Sequence, residues 1–179
     1  MRVLSDACVL YPTEMREVVL GVAQAGLFEP RWSARILEEW ARAARKIGPQ
    51  GETIARGEIA AIQAEFPRAE VKIPHGFEAR LWLPDPDDIH VFAAAICSSC
   101  DAIMTMNAKD FPRNELADQG LERVDPDGFL IGLAVQHPVA VQMVGEAVLA
   151  EARRLSGEPW EMRKLMRKAR LPRLGKLLG

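Results

Sequence analysis

The stretch Pro84-Asp85-Pro86-Asp87-Asp88-Ile89-His90-Val91-Phe92-Ala93-Ala94-Ala95-Ile96-Cys97-Ser98-Ser99-Cys100-Asp101-Ala102-Ile103-Met104-Thr105 reads as an acidic turn, a helix and a strand in succession. The proline-aspartate run cannot continue a helix and supplies capping side chains for the next one. From 88 to 99 the apolar residues lie nearly all round the helical wheel, which predicts a largely buried helix. Residues 101–106 then form a short apolar strand ending at a polar loop, Asn107 to Asp110. A buried helix delivering the chain into a buried strand is the βα repeat of a parallel sheet covered on both faces.

On the N-terminal side, Arg2 to Asp6 reads as a first strand, and the chain breaks at Tyr11-Pro12. Met15, Val18, Val19 and Val22 form the stripe of a helix over 13–25, ended by Gly26. An extended segment at 27–30 leads to Ser33, an N-cap candidate for a helix over 33–47 whose buried stripe is Ile36, Leu37, Trp40, Ala44 and Ile47. A helix over 51–66, a strand at 71–73, an extended stretch at 79–83 and a strand at 121–124 complete the alternation. After Asp125 the pattern becomes helical throughout: 126–137, Pro138 to about Leu155, and a basic helix from Trp160 to Ala169. The expected organisation is an α/β domain over 1–130 and a helical, basic extension over 131–179.

Charge is distributed unevenly. The net charge is −2, yet residues 151–179 carry nine Lys/Arg against three Glu, leaving −8 on the first 150 residues. An acidic body with a basic tail suits a protein that holds cations in one place and meets phosphates or an acidic partner in another. Three cysteines argue against a disulfide framework, and Cys97 and Cys100 lack a second ligand pair at zinc spacing, so they read as structural. No apolar run suits a signal peptide or a membrane span, which makes a cytoplasmic protein with no membrane partner the expectation. Trp32, Trp40, Trp82 and Trp160 are expected in core or interface positions rather than as base-stacking platforms, with Trp160 open to either.

Carboxylates recur at predicted strand and helix ends: Asp6, Glu39, Asp88 and Asp110 beside Asn107. An open α/β sheet gathers such groups at the carboxyl edge of its strands. At about 4–5 Å and an effective dielectric near 20, each pair would repel by a few kcal/mol. A divalent cation relieves that repulsion, so the pattern points to a metal-dependent site.

Leu4-Ser5-Asp6-Ala7, Ser33 to Glu39-Trp40, Asp85-Pro86-Asp87-Asp88 before an Ala-rich helix, and Asp101 to Phe111 resemble the successive signatures of a PIN-domain ribonuclease. The likeness covers roughly residues 1–130 and is nearest to VapC-like toxins that carry a helical C-terminal segment. It implies a three-layer α/β/α fold around a parallel sheet, and an acidic cluster that binds Mg²⁺ or Mn²⁺ and hydrolyses single-stranded or loop RNA. It assigns the acids to Asp6, Glu39 (not Glu38), Asp88 (not Asp85 or Asp87) and Asp110, with Asp6 and Asp88 nearest the metal and Thr105 and Asn107 as polar support. Asn107 competes with Asp110 for the fourth position. The resemblance also implies a homodimer and a cognate antitoxin partner.

Two residues depart from that pattern. Cys8 stands where relatives carry a polar Asn or Ser, which is expected to remove a hydrogen-bonding group, and Asn107 lowers the site's charge. They motivate an alternative, a PIN-fold module that binds RNA or a protein with little catalysis. A small-substrate phosphohydrolase fits less well, because the first strand lacks an Asp-x-Asp nucleophile.

Overall fold

The computed structural model describes residues 1–179, which form two compact units. The first comprises Met1–Tyr11 and Glu29–Val124 and contains every strand. Its sheet is built from β1 (Arg2–Ser5), β2 (Glu29–Ser33), β3 (Glu70–Val71), β4 (Ala102–Met104) and β5 (Glu122–Val124), all parallel, in the order β3-β2-β1-β4-β5. Helices flank the sheet, giving an α/β architecture consistent with the expected three layers and C-terminal helices. β1 and β4 are central, and Val3, Leu4, Ala102, Ile103 and Met104 are wholly buried, as strands covered on both faces should be.

Along the chain, α1 (Ala7–Leu10) precedes α2 (Thr13–Gln24), which belongs to the second unit. The first unit continues with α3 (Ala34–Ala43), α4 (Gly51–Glu65), α5 (Ile89–Cys97) and α6 (Arg113–Ala117). Ser33 ends β2 and caps α3, its Oγ accepting from Ile36 N at 3.2 Å. α5 buries Val91, Phe92 and Ala93 to Ala95, as its nearly all-round apolar wheel predicts. Small alanines let it lie close on β1, β2 and β4, the strands it touches.

Several local expectations shift. The strand expected at 27–30 runs instead over Glu29–Ser33, because pairing with β1 aligns Arg2 with Glu29 and Leu4 with Arg31. β3 is only two residues long. Glu78–Arg80 is a turn of 3-10 helix, and extended backbone begins at Leu81. Residues 44–47 finish α3's run as a 3-10 turn, after which Gly48 lets the chain reverse with φ +156°.

The second unit comprises Pro12–Phe28 and Asp125–Gly179. The expected boundary near 130 compares with a division at Val124/Asp125, and α2 joins the helical part. Its other helices are α7 (Pro126–Gln136), α8 (Pro138–Ser156), α9 (Met162–Lys168) and α10 (Pro172–Leu178). α2 packs on α8 and α9. At Gly21 an added Cβ would stand 2.7 Å from Val144 Cγ1, so glycine permits the close approach of α2 and α8. Asp127 is buried and accepts from Arg173 N (3.0 Å) and Leu174 N (2.9 Å), capping α10, and Arg173 also pairs with Asp125. Much of the basic tail is thus tied down locally: Lys168 pairs with Glu14, Arg154 with Glu151 and Lys164 with Glu161. No helix is long and apolar enough to cross a membrane.

Candidate metal centre

β1 and β4 are the neighbours at which the strand order reverses direction, with β2 and β3 on one side and β5 on the other. The crevice beyond their carboxyl ends is where open α/β sheets bind ligands. Asp6 follows the last residue of β1 and Thr105 the last of β4; the Asp6 N–H donates to Met104 O at 3.1 Å, so the two ends are held together.

Asp6 is 6% exposed. Its Oδ2 accepts from Thr105 Oγ1 at 2.7 Å and from Cys8 Sγ at 3.1 Å. The hydroxyl of Thr105 in turn accepts from Asn107 N at 3.0 Å, and Cys8 Sγ accepts from Met106 N at 3.2 Å. A buried carboxylate needs such partners. Burial, then the Asp6 charge, pushes the Cys8 thiol up to about 12, so it keeps its proton and can donate. The expectation that Cys8 removes a hydrogen-bonding group is therefore reversed: the thiol supplies one.

Asp85, Asp88 and Asp110 form the acidic notch, with one carboxylate oxygen from each lying within 4.8 Å of the others. The local sequence explains the arrangement. Asp85 Oδ1 accepts from Asp87 N at 2.9 Å and caps the short 3-10 turn Pro86–Asp88. Asp88 stands at the head of α5 but makes no capping bond with its side chain, which leaves its carboxylate to the notch. Burial, then the charges of Asp6, Asp85 and Asp110, pushes its carboxyl up to about 6. Asn107 Nδ2 donates to Asp110 Oδ2 and lies 3.4 Å from Asp88 Oδ2, bridging the two acids. Lys109 Nζ is 3.9 Å from Asp110 Oδ2.

The expected acids are thus distributed over linked places. Asp88 and Asp110 come together, and Asp6 couples to them through charge. Asp85, which the resemblance passes over in favour of Asp88, completes the group; its signal is its own proline-bounded turn, which aims a carboxylate at the head of α5. Glu39 is not a member of the three. Its Oε1 lies 2.9 Å from His90 Nε2, in contact but out of hydrogen-bond alignment, and 3.4 Å from Arg35 Nε. His90 is 1% exposed and sits two residues inside Asp88, so Glu39 touches the residue that follows the notch on α5 rather than the three acids themselves. Glu38 turns elsewhere, held low by Arg56 and Arg42. Asp101 is structural, accepting from Arg2 N at 2.6 Å. Cys100 is buried beside Ser98 Oγ, 3.2 Å away.

The donor set suits a hard dication. All three groups are carboxylate oxygens, and Mg²⁺ takes oxygen ligands at about 2.0–2.1 Å while keeping several waters. In an octahedral shell adjacent oxygens stand about 2.9 Å apart and opposite ones about 4.2 Å, so three oxygens within 4.8 Å of one another suit an ion held partly through intervening waters.

No protein-family model matches the chain, and no significant match exists among curated proteins or solved structures.

Proposed function

We propose that the notch of Asp85, Asp88 and Asp110 is the Mg²⁺ or Mn²⁺ centre of a PIN-type endoribonuclease, the toxin of a toxin–antitoxin pair. The observation that carries this reading is the meeting of three carboxylates beside Asp6, at the carboxyl edge of β1 and β4. Burial and then mutual repulsion raise Asp88 there, and a dication would relieve the repulsion. When bound, the metal would polarise a phosphodiester and lower the pKa of a water. The chain's own residues do the placing. Asp85 and Asp88 are presented by one turn, Asp110 by the loop after β4, and the Cys8 and Thr105 donors fix the Asp6 carboxylate beside them. The cognate antitoxin and a homodimer belong to the same proposal.

Asn107 favours a second reading, a PIN-fold module that binds RNA or protein with little turnover. Its amide already bridges Asp88 and Asp110, and a metal has to displace it or share their oxygens.

The test is cleavage of RNA by the full chain with Mn²⁺ or Mg²⁺, alongside calorimetric titration of Mn²⁺. Metal-dependent cutting that Asp88→Asn abolishes is the expected result. RNA or protein binding without cutting under either ion selects the second reading; Mn²⁺ binding unaffected by Asp88→Asn removes the metal-centre reading.

A further inference from the structure

Of the four tryptophans, Trp32 and Trp40 are buried, and Trp160 donates to Ser156 Oγ and carries Lys168 over its ring. Trp82 differs. It is 61% exposed, and its indole has neither a ring partner nor a hydrogen bond. Tryptophan is heavily buried on average, so a bare indole is informative. The neighbouring Leu83 is 1% exposed and anchors the backbone, the 3-10 turn Glu78–Arg80 precedes it, and the Asp85 cap follows. The ring is thus presented outward from a pinned segment. It stands three positions before Asp85, which bounds their Cα separation at about 10–11 Å.

Cations lie on the Trp82 segment and beside the notch. Arg80, two residues before Trp82, is exposed and unpaired. Lys109 is 85% exposed beside Asp110, and Arg35 Nη2 reaches the carbonyl of Asp87 at 3.4 Å. An indole face, scattered cations and a carboxylate notch suit different parts of one kind of ligand. The ring takes a nucleobase face, the cations take phosphates, and the notch takes a dication bridging to a phosphate. A duplex keeps its bases stacked inside, whereas an unpaired strand can offer one to an aromatic side chain. A protein partner would account for the indole alone.

We propose that Trp82 is a stacking platform for an unpaired base next to the phosphate at the Asp85–Asp88–Asp110 notch. This rests on the ribonuclease reading above. Trp82 acts by holding the strand in place, and Arg80 and Lys109 steer the backbone without reading bases.

The test uses the full chain, short single strands of adenylate or uridylate, the same strands with abasic sites, and a perfect duplex. Binding is read by anisotropy in Ca²⁺ and cleavage in Mn²⁺. Wild type should prefer single strands to duplex, and Trp82→Ala should bind them about tenfold or more weakly, with Trp82→Phe retaining most of the affinity. On abasic strands the wild type and Trp82→Ala should bind alike. The exposed indole's fluorescence should be quenched by single strands, and Trp82→Phe should remove that quench. Because Trp82 is exposed, circular dichroism of the variants should match wild type. Cleavage by wild type together with unchanged single-strand affinity in Trp82→Ala overturns this proposal alone. A wild type that neither binds nor cuts RNA overturns this proposal and the ribonuclease reading together.

Discussion

Cys8 Sγ stands 3.1 Å from Asp6 Oδ2 while accepting the Met106 N–H at 3.2 Å, so one thiol joins the end of β1 to the end of β4. It does so as a neutral donor, which its elevated pKa secures. Removing it leaves Asp6, a nearly buried carboxylate, with Thr105 as its remaining side-chain donor. Cys8→Ala is expected to destabilise the protein by about 1–3 kcal/mol, the loss of one of two side-chain hydrogen bonds to a nearly buried charge, and Cys8→Ser by less. Urea unfolding of the two variants checks this; equal loss in both would mean that packing, not hydrogen bonding, is what the sulfur contributes.

Asp85 carries the next prediction, since only the folded chain brings it to the notch. Substitution of groups one shell out from a metal costs about 10–100-fold in affinity, so a ligand's loss should cost at least that. Asp85→Asn should weaken Mn²⁺ binding by about a hundredfold in calorimetry, whereas Asp87→Asn should leave it near wild type. Asp87 contributes its backbone N–H to the turn, and the variant keeps that group.

The pH dependence follows from Asp88. Its carboxyl rises from 3.8 to about 6 in the folded protein, so the folded state takes up a proton before the unfolded one as pH falls. The associated stability is fully present below about 4 and is lost as pH rises through about 6. In metal-free buffer, wild type minus Asp88→Asn should therefore show stability falling between about pH 4 and 6. Mn²⁺ affinity should rise over the same interval as the carboxylate frees itself of the proton. Melting curves across pH, with and without Mn²⁺, give both signs. A difference curve that stays flat across this interval would rule out Asp88 as the source.

Asn107 sits between Asp88 and Asp110 as an internal neutral clamp. Asn107→Asp exchanges donated hydrogen bonds for a further negative charge. The metal-free protein should lose stability, and Mn²⁺ should bind about tenfold more tightly, because ligand charge count tunes such sites. Calorimetry and chemical denaturation read the two effects separately.

In the helical unit, Asp127 holds the first turn of α10 through two backbone N–H groups and the Arg173 side chain. Asp127→Ala should cost about 2–3 kcal/mol, since hydrogen bonds to a buried charge are lost and two amides are orphaned. Loss of helical signal at a lower denaturant concentration is the expected readout.

What the amino-acid order reveals divides along physical lines. β4 and α5 are readable because Ala102-Ile103-Met104 and Ile89 to Ile96 are apolar enough to announce burial by themselves. β2 is displaced from its expected range because Glu29-Pro30-Arg31 has no apolar run; its membership comes from alignment with Arg2 to Leu4 across the ladder. α10 leaves no local trace because its cap, Asp127, lies 46 positions before the residue whose N–H it accepts. At the notch, Asp6, Asp88 and Asp110 stand out as acids at element ends. Asp85 does not, because a carboxylate that caps its own turn gives no sign of which way its other oxygen faces. Cys8 misleads for a related reason: whether a thiol is inert filling or a donor depends on the carboxylate next to it in space.

The helical unit takes one of its members, α2, from between the first two strands, where α8 and α9 come to pack on it. No single cut can therefore free one half of this molecule from the other. A shortened chain ending at Val124 would keep α2, inside the link between β1 and β2, but strip it of those two neighbours. Evolution or an engineer could trim the last helices only by rewriting that link as well.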